Sequence, residues 1–290
     1  MTCFDEFSWI KMENAQNLVT SAGAKLRELR SVLKEAGRLL VAYSGGVDST
    51  FLLAEATYVL GDAAVGILAD SPSLPRATLC RAIETAKAFG SNVEVIATTE
   101  LEDPRYSSNP INRCYFCKFE LFTRMQEIAI ARGYSALAYG ENADDAFQVR
   151  PGSEAAREFR VLAPLRTVGL TKAEIRMLSR ERGLPTADMP AQPCLSSRIP
   201  HGTVVTRNAL SMIEQAEEFV RSCGLAVFRV RYIVRPGGPP TAKLQVDPAE
   251  KDKLAPLEEE VREKIRAIGF QDLLIDPNGY APPRQSNPAK

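Results

Sequence analysis

No run of about 18 consecutive apolar residues occurs in this 290-residue chain, so nothing in it reads as a membrane span. An excess of charge is missing too: 36 Lys and Arg balance 36 Asp and Glu. A neutral chain carries no overall electrostatic footprint for nucleic acid and leaves room only for a local basic groove. Cysteine is sparse. Six thiols in a chain of this length do not make a disulfide framework. In a reducing cytosol such thiols are expected to be buried, catalytic or metal-bound. The opening segment, MTCFDEFSWIKMENAQNLVT, lacks a basic region followed by an apolar core. A secretory signal is therefore not expected and a cytoplasmic location is. No internal repeat is visible.

What is present begins with four short apolar runs: RLLVAYS (38–44), AAVGILAD (63–70), NVEVIAT (92–98) and YSALAYG (134–140). Helical stretches separate them. FLLAEATYVL ends at Gly61, ATLCRAIETAKAFG at Gly90 and FELFTRMQEIAIARG at Gly133, each with the glycine that commonly stops a helix. Leu26, Leu29, Leu33 and Ala36 recur at helical spacing and predict a helix over 21–36, behind a polar, irregular arm. Strands alternating with helices predict an α/β fold with a parallel sheet covered on both faces, and ligands beyond the carboxyl ends of the strands. TKAEIRMLSRERGLP adds a helix with Thr171 as N-cap. After Pro200 the order becomes helix, strand, strand, helix, strand, which predicts a small C-terminal α+β domain. The expected division is 20–199 and 200–280, with 1–19 and 281–290 as flexible termini.

The stretch AYSGGVDST carries the first chemical signal. Gly45 and Gly46 let backbone N–H groups turn toward a ligand with no Cβ in the way. Asp48, Ser49 and Thr50 then open a helix whose free N–H groups and dipole point to the same spot. Ser44 to Thr50 thus form an anion cradle. No lysine follows the glycines, so this is not a GxxxxGK[ST] loop. Such a loop suits pyrophosphate as a leaving group, with AMP passed to a substrate. The plain alternative is a small-residue turn between strand and helix.

The second signal is in the thiols. Cys114 and Cys117 form a Cys-x-x-Cys after the third strand, with Lys118 next, and Cys194 lies in PAQPCLSSRIPHG. Cys3, Cys80 and Cys223 are expected to be buried or incidental. Cys-x-x-Cys alone fits a redox pair, half a zinc site or part of a cluster. Joined by Cys194 at the ATP pocket, the three thiolates would hold a [4Fe-4S] cube with one iron open to sulfide. A zinc site with His201 as fourth ligand is the alternative. In VFRVRYIVR, alternation puts Arg229, Arg231 and Arg235 on one strand face with Ile233, and Phe228, Val230, Tyr232 and Val234 on the other. Arginine forks suit phosphate; a solvated face is the alternative. Arg198, beside Ser196 and Ser197, is a further candidate for a substrate phosphate or carboxylate. Lys118 is a candidate to stabilise charge on an adenylated intermediate, and Asp144 and Asp145 to bind Mg²⁺ or orient their loop.

SGGVDS resembles the pyrophosphate loop, SGGxDS, of the N-type ATP pyrophosphatases, which include ammonia-using synthetases and tRNA thiolases. The resemblance implies ATP's adenine near Ala69, Asp70 and Ser71 and near Gly140, with Asp48 positioning Mg²⁺; a cap role is the alternative for Asp70. AYSGGVDST, ADSPSLPR, NPINRCYFCK, GENADD, VRPG, APL, PCLSSRIPHG and RVR together resemble the LarE family, from about residue 25 to 280. LarE proteins are ATP-dependent sulfur transferases that adenylate a carboxylate of pyridinium biscarboxylic acid mononucleotide. They then replace an oxygen with sulfur, for the nickel-pincer nucleotide of lactate racemase. One branch sacrifices the sulfur of a single cysteine, matching Cys194, and lacks the Cys-x-x-Cys. Another binds a [4Fe-4S] cluster on three cysteines, which Cys114, Cys117 and Cys194 resemble. The RVR match implies Arg229 and Arg231 on the substrate's phosphate. Expected cofactors are ATP, Mg²⁺ and the cluster. Expected partners are a small-molecule nucleotide and further copies of the chain in a homo-oligomer. tRNA thiolation and a non-catalytic ATP sensor are the alternatives. Neutrality and the lack of an added RNA-binding module oppose the first, and the cysteines oppose the second.

Overall fold

The structure, a computed structural model, describes residues 6–147, 151–235 and 237–280. It divides into two compact units: Met1–Ser71, Arg76–Glu100 and Asn112–Gln192 form one, and Pro72–Pro75, Leu101–Ile111 and Pro193–Lys290 the other. Residues 1–5, with Cys3, and the tail 281–290 lie outside the described residues, as do Val149 and Arg150 of VRPG.

In the first unit, strands β1 (Leu39–Ala42), β2 (Ala64–Asp70), β3 (Asn92–Ala97) and β4 (Ala136–Tyr139) each fall inside one of the four apolar runs. All pairs are parallel, in the order β3-β2-β1-β4. β1 reads LLVA without alternation because both its faces are covered; Leu39, Leu40 and Val41 are fully buried. Leu40, Ile67 and Leu137 of the sheet pack with Phe122 and Met125 of the helix Arg113–Arg132. Other helices of this unit are Val47–Leu60, Arg76–Ala88 and Lys172–Glu181.

The first helix spans Glu6–Ala36 rather than 21–36, so the expected irregular arm is helical from Glu6 onward. No proline occurs in this span and no glycine before Gly23, so no strong helix breaker stops it earlier. Leu29 and Leu33 are buried, as their spacing predicts.

The strand order places the site. From β1 the chain moves outward to β2 and β3, then returns to the far side of β1 as β4. The direction reverses between β1 and β4, and a crevice opens at the carboxyl ends of two strands whose connections diverge.

In the second unit, β5 (Phe228–Val234) pairs antiparallel with β6 (Pro240–Val246), and β6 pairs parallel with β7 (Leu273–Ile275). The parallel pair needs a crossover, which the helix Glu258–Ile268 supplies. Phe228, Val230, Leu244 and Leu273 face Met212, Ala216 and Val220 of the helix Arg207–Ser222 and Val261 and Ile265 of the crossover helix. Two short segments from earlier in the chain belong to this unit: Leu195 N–H donates to Ser73 O at 2.8 Å, and Val205 N–H to Ser107 O at 2.8 Å. No helix among the described residues is long and apolar enough to cross a membrane.

Candidate functional site

Tyr43, just past β1, still donates its N–H to Ile67 O at 2.9 Å before the chain turns through Ser44, Gly45 and Gly46. Gly45 sits at φ +71°, and a Cβ there would lie 2.6 Å from the Cβ of Ala82. Both facts demand glycine. Gly46 is the N-cap of the helix Val47–Leu60, and no side chain caps it. The first-turn N–H groups have no intrahelical partner either, so they stand available to an anion, with the dipole behind them. The Ser44 and Ser49 hydroxyls share a hydrogen bond of 3.0 Å, Ser44 N–H donates to Ser49 Oγ at 3.2 Å, and the Ser49 hydroxyl donates to Gly46 O at 3.2 Å. The two serines thereby staple the loop, and Thr50 behind them is buried. Gly140, just after β4, completes the wall. A Cβ there would come within 2.8 Å of Ser49 N, so only glycine lets the exit of β4 press against the loop.

Asp48 meets a partner that sequence reasoning missed. Lys172 Nζ lies 2.8 and 2.7 Å from its two carboxylate oxygens, and Asn142 Nδ2 donates to it at 3.4 Å. Asp144 accepts the Lys172 N–H at 2.8 Å, and Asp145 accepts the Asn142 N–H at 3.2 Å. These two aspartates therefore hold the GENADD loop and the lysine in place. A carboxylate beside the cradle suits a hard divalent cation, so Asp48 fits one Mg²⁺ ligand; here the ammonium occupies both its oxygens. At the exit of β2, Asp70 pairs with Arg76, Arg76 donates to Ser71 O at 2.7 Å, and the Ser71 hydroxyl donates to buried Glu100. Ala69 precedes them within the strand.

The Cys-x-x-Cys follows β3 as expected and lies within the first five residues of the helix Arg113–Arg132, which begins ahead of the expected Phe119. Cys114 and Cys117 are three apart and share one helix face. Cys114 is exposed, Cys117 half-buried, and neither is in a disulfide. Such a pair fits two corners of a cluster. Lys118 lays its stem along Gly152, where a Cβ would approach Lys118 Cδ to 2.6 Å, and its Nζ stands 4.6 Å from the centre of the Tyr139 ring. The Tyr139 hydroxyl donates to Glu141 at 2.5 Å, the Ser153 hydroxyl donates to the same carboxylate, and Arg166 pairs with it at 2.8 Å. Burial pushes the Glu141 carboxyl up. The Ser153 and Tyr139 hydrogen bonds and the Arg166 and Lys118 charges outweigh it and hold the group below its ordinary range. Burial, with the adjoining carboxylate, pushes the Tyr139 phenol up. GENADD signalled this network, through Glu141 rather than its aspartates.

In the second unit, half-buried Cys194 caps the short turn Leu195–Arg198. Its carbonyl accepts Arg198 Nη1 and Ser197 N–H, each at 3.0 Å. Arg198 Nη1 also reaches Pro193 O at 2.6 Å, while its Nε and Nη2 fork onto Glu217 at 2.9 Å each. Its observed contacts thus brace the backbone of Cys194. Behind the turn, the hydroxyls of Ser73, Tyr106 and Ser196 close a triangle of 2.7, 2.7 and 2.8 Å. Arg231 donates to Ser197 O at 2.7 Å and to Gln245 at 2.9 Å. Arg229 stacks 4.8 Å over the Tyr280 ring. Burial, then the nearby Arg198 charge and more weakly that of Arg231, lower the Arg229 pKa. Arg198 pairs with the buried Glu217, and Arg229 feels the charges of both. His201 Nδ1 lies 3.4 Å from Asn109 O. Among the described residues no three Cys, His, Asp or Glu side chains gather as a metal site.

No model of a protein family matches the chain. Individual proteins do. An uncharacterized protein of Synechocystis sp., slr1717, is 45% identical over 208 residues, covering 72% of this chain and 78% of that protein. An uncharacterized protein of Methanocaldococcus jannaschii, MJ0830, is 30% identical over 263 residues, 87% of this chain and 95% of that one. The pyridinium-3,5-bisthiocarboxylic acid mononucleotide synthase of Lactiplantibacillus plantarum is 27% identical over 270 residues, 93% of this chain and 96% of that enzyme. The chain belongs to the LarE family. It has the α/β fold expected of a LarE protein, a four-stranded parallel sheet between helices plus a separate small sheet. Two LarE signatures, SGGVDS and GENADD, sit at the exits of β1 and β4, on either side of the reversal in strand order.

Proposed function

We propose that this LarE chain is an ATP-dependent sulfur transferase acting on pyridinium-3,5-biscarboxylic acid mononucleotide, for nickel-pincer nucleotide synthesis. The observation that carries the reading is the uncapped cradle Ser44–Thr50 at the reversal of the sheet, in a chain related along nearly its whole length to a pyridinium bisthiocarboxylate synthase. A substrate carboxylate oxygen bonds to the α-phosphorus of ATP as the bond to the bridging oxygen breaks, and the electron pair leaves with pyrophosphate. The first-turn N–H groups and the Ser44 and Ser49 hydroxyls hold that leaving group. Asp48 would hold Mg²⁺, which when bound offsets the developing charge. AMP is a good leaving group, which a bare carboxylate lacks, so a sulfur nucleophile adding to the acyl carbon expels it. Arg229 and Arg231 bind the substrate's phosphate. Lys118 supplies a cation for the adenylate.

Cys114, Cys117 and Cys194 would be the ligands of a [4Fe-4S] cluster, which when bound offers an open iron that carries sulfide. Support for two of them is their shared helix turn and face; Cys194, in the other unit, is assigned by the family resemblance. If Cys194 itself is the donor, it ends as dehydroalanine. Purified without oxygen and given ATP, Mg²⁺ and the biscarboxylate mononucleotide, the protein is expected to release pyrophosphate and AMP and to form a thiocarboxylate; with tRNA instead it is expected to release none. Absence of pyrophosphate with the nucleotide acid would end this reading.

Cys114→Ser with Cys117→Ser is expected to remove iron and acid-labile sulfide from the anaerobic protein. Pyrophosphate release should persist and the thiocarboxylate product should be lost. One thiol is exposed and the other half-buried, so stability is expected to change by only about 0.5 kcal/mol. An iron-free wild type that loses one sulfur from Cys194 per turnover would replace the cluster with the sacrificial donor.

A further inference from the structure

The carboxylate of Asp48 stands in the first helical turn of a cradle built for a polyanion. Bare, it would repel the phosphates that the N–H groups attract. Lys172 cancels it, with Nζ 2.8 and 2.7 Å from the two oxygens. The base of this lysine is fixed. Its N–H is held by Asp144, and it is the first residue of a helix closed by a capping box between Thr171 and Glu174. Glu174 is in turn tied to Lys25 at 2.8 Å. The tip is less confined: the Lys172 side chain is 31% exposed and that of Asp48 19%. An ammonium on a four-carbon stem swings without moving its backbone, and it makes a point contact rather than a planar fork. Asn142 Nδ2 also donates to Asp48, at 3.4 Å.

We propose that Lys172 is a placeholder cation: it neutralises Asp48 in the empty protein, cedes the carboxylate to the divalent ion that enters with a nucleoside triphosphate, and turns its ammonium to the phosphates. The inference rests on the reading of Ser44–Thr50 as an ATP loop, and it adds a reason why the metal enters with nucleotide and not before it. Mn²⁺ is the spectroscopic probe. In full-length protein without nucleotide, Lys172→Met is expected to tighten Mn²⁺ binding by about tenfold, read by electron paramagnetic resonance. The gain should vanish in Asp48→Asn/Lys172→Met, and Lys172→Arg should bind Mn²⁺ as weakly as wild type. Lys172→Met should also weaken binding of a non-hydrolysable ATP analogue by about tenfold. Lys172→Gln is the second variant if the methionine one misfolds, as judged by its melting curve. Equal Mn²⁺ affinity in wild type and folded Lys172→Met or Lys172→Gln, or a gain that survives loss of the Asp48 charge, overturns the placeholder. A wild type that binds no ATP analogue overturns the ATP reading itself, so the two failures are told apart.

Discussion

Gly45→Val is expected to abolish ATP-dependent pyrophosphate release and to lower the melting temperature by several degrees. Two independent penalties meet at this residue. Its φ of +71° is a left-handed conformation that a β-branched residue resists, at a cost of roughly 1–2 kcal/mol. A Cβ would also stand 2.6 Å from Ala82 Cβ and 3.2 Å from Ala82 Cα, and the second of these is backbone that cannot rotate away. Overpacking of that kind costs about 1–3 kcal/mol. The sum is a large part of the roughly 5–15 kcal/mol that holds a domain folded. What survives folding would carry a displaced loop, and losing one aimed donor on a developing anion costs about 10²–10³ in rate. Gly133→Ala is the control: Gly133 is left-handed at φ +68° and ψ +41°, and a Cβ there would meet nothing closer than Arg38 Nη1 at 3.9 Å. That variant should lose only about 1 kcal/mol and keep its activity. Gly45→Ala in an Ala82→Gly background separates the penalties, since it relieves the side-chain part of the overlap and leaves the dihedral strain. Pyrophosphate release by Gly45→Val at the wild-type rate would remove the loop from the chemistry.

The same loop explains how much was legible in the sequence. Its signal is local: strand end, two glycines, two hydroxyls and a helix start lie within ten consecutive residues, and each constrains the backbone there. β1, β2 and β4 were legible for a similar reason, because a parallel strand covered on both faces reads as an unbroken apolar run, whereas the partly exposed edge strand β3 showed only Val93, Val95 and Ile96 around Glu94. Contacts between distant segments left no such mark. Lys172 and Asp48 are 124 residues apart, and the lysine looked like one more charge on an amphipathic helix. The triangle of Ser73, Tyr106 and Ser196 draws on three segments, and nothing in ADSPSLPR or PCLSSRIPHG says that their serines meet one another or Tyr106. The first turn of the helix Arg113–Arg132 was hidden because Arg113, Cys114, Tyr115 and Phe116 show no apolar period. Arg198 looked like a ligand contact beside two serines, because Glu217 lies on a helix where a glutamate ordinarily faces water.

That last pair sets the other large expected effect. The side chains of Arg198 and Glu217 are 4% and 5% exposed and joined by two hydrogen bonds of 2.9 Å. Glu217 also accepts Val230 N–H at 3.1 Å, so the carboxylate links the helix Arg207–Ser222 to β5. Arg198→Ala would leave a buried carboxylate with that backbone donor and would strip the carbonyls of Pro193 and Cys194 of their guanidinium. Breaking a buried pair from one side costs about 3–5 kcal/mol, so the second unit should melt far earlier than in the wild type. Cys194 should also be alkylated faster, read by mass spectrometry under native conditions. Arg198→Met with Glu217→Met distinguishes stability from positioning. An apolar pair of similar volume is often neutral in place of a buried ion pair, so melting should recover. The carbonyl of Cys194 would still lack its brace, so its alkylation should stay fast and sulfur transfer slow. Were Arg198 only a contact for the substrate's phosphate, Arg198→Ala would melt like the wild type and raise KM alone.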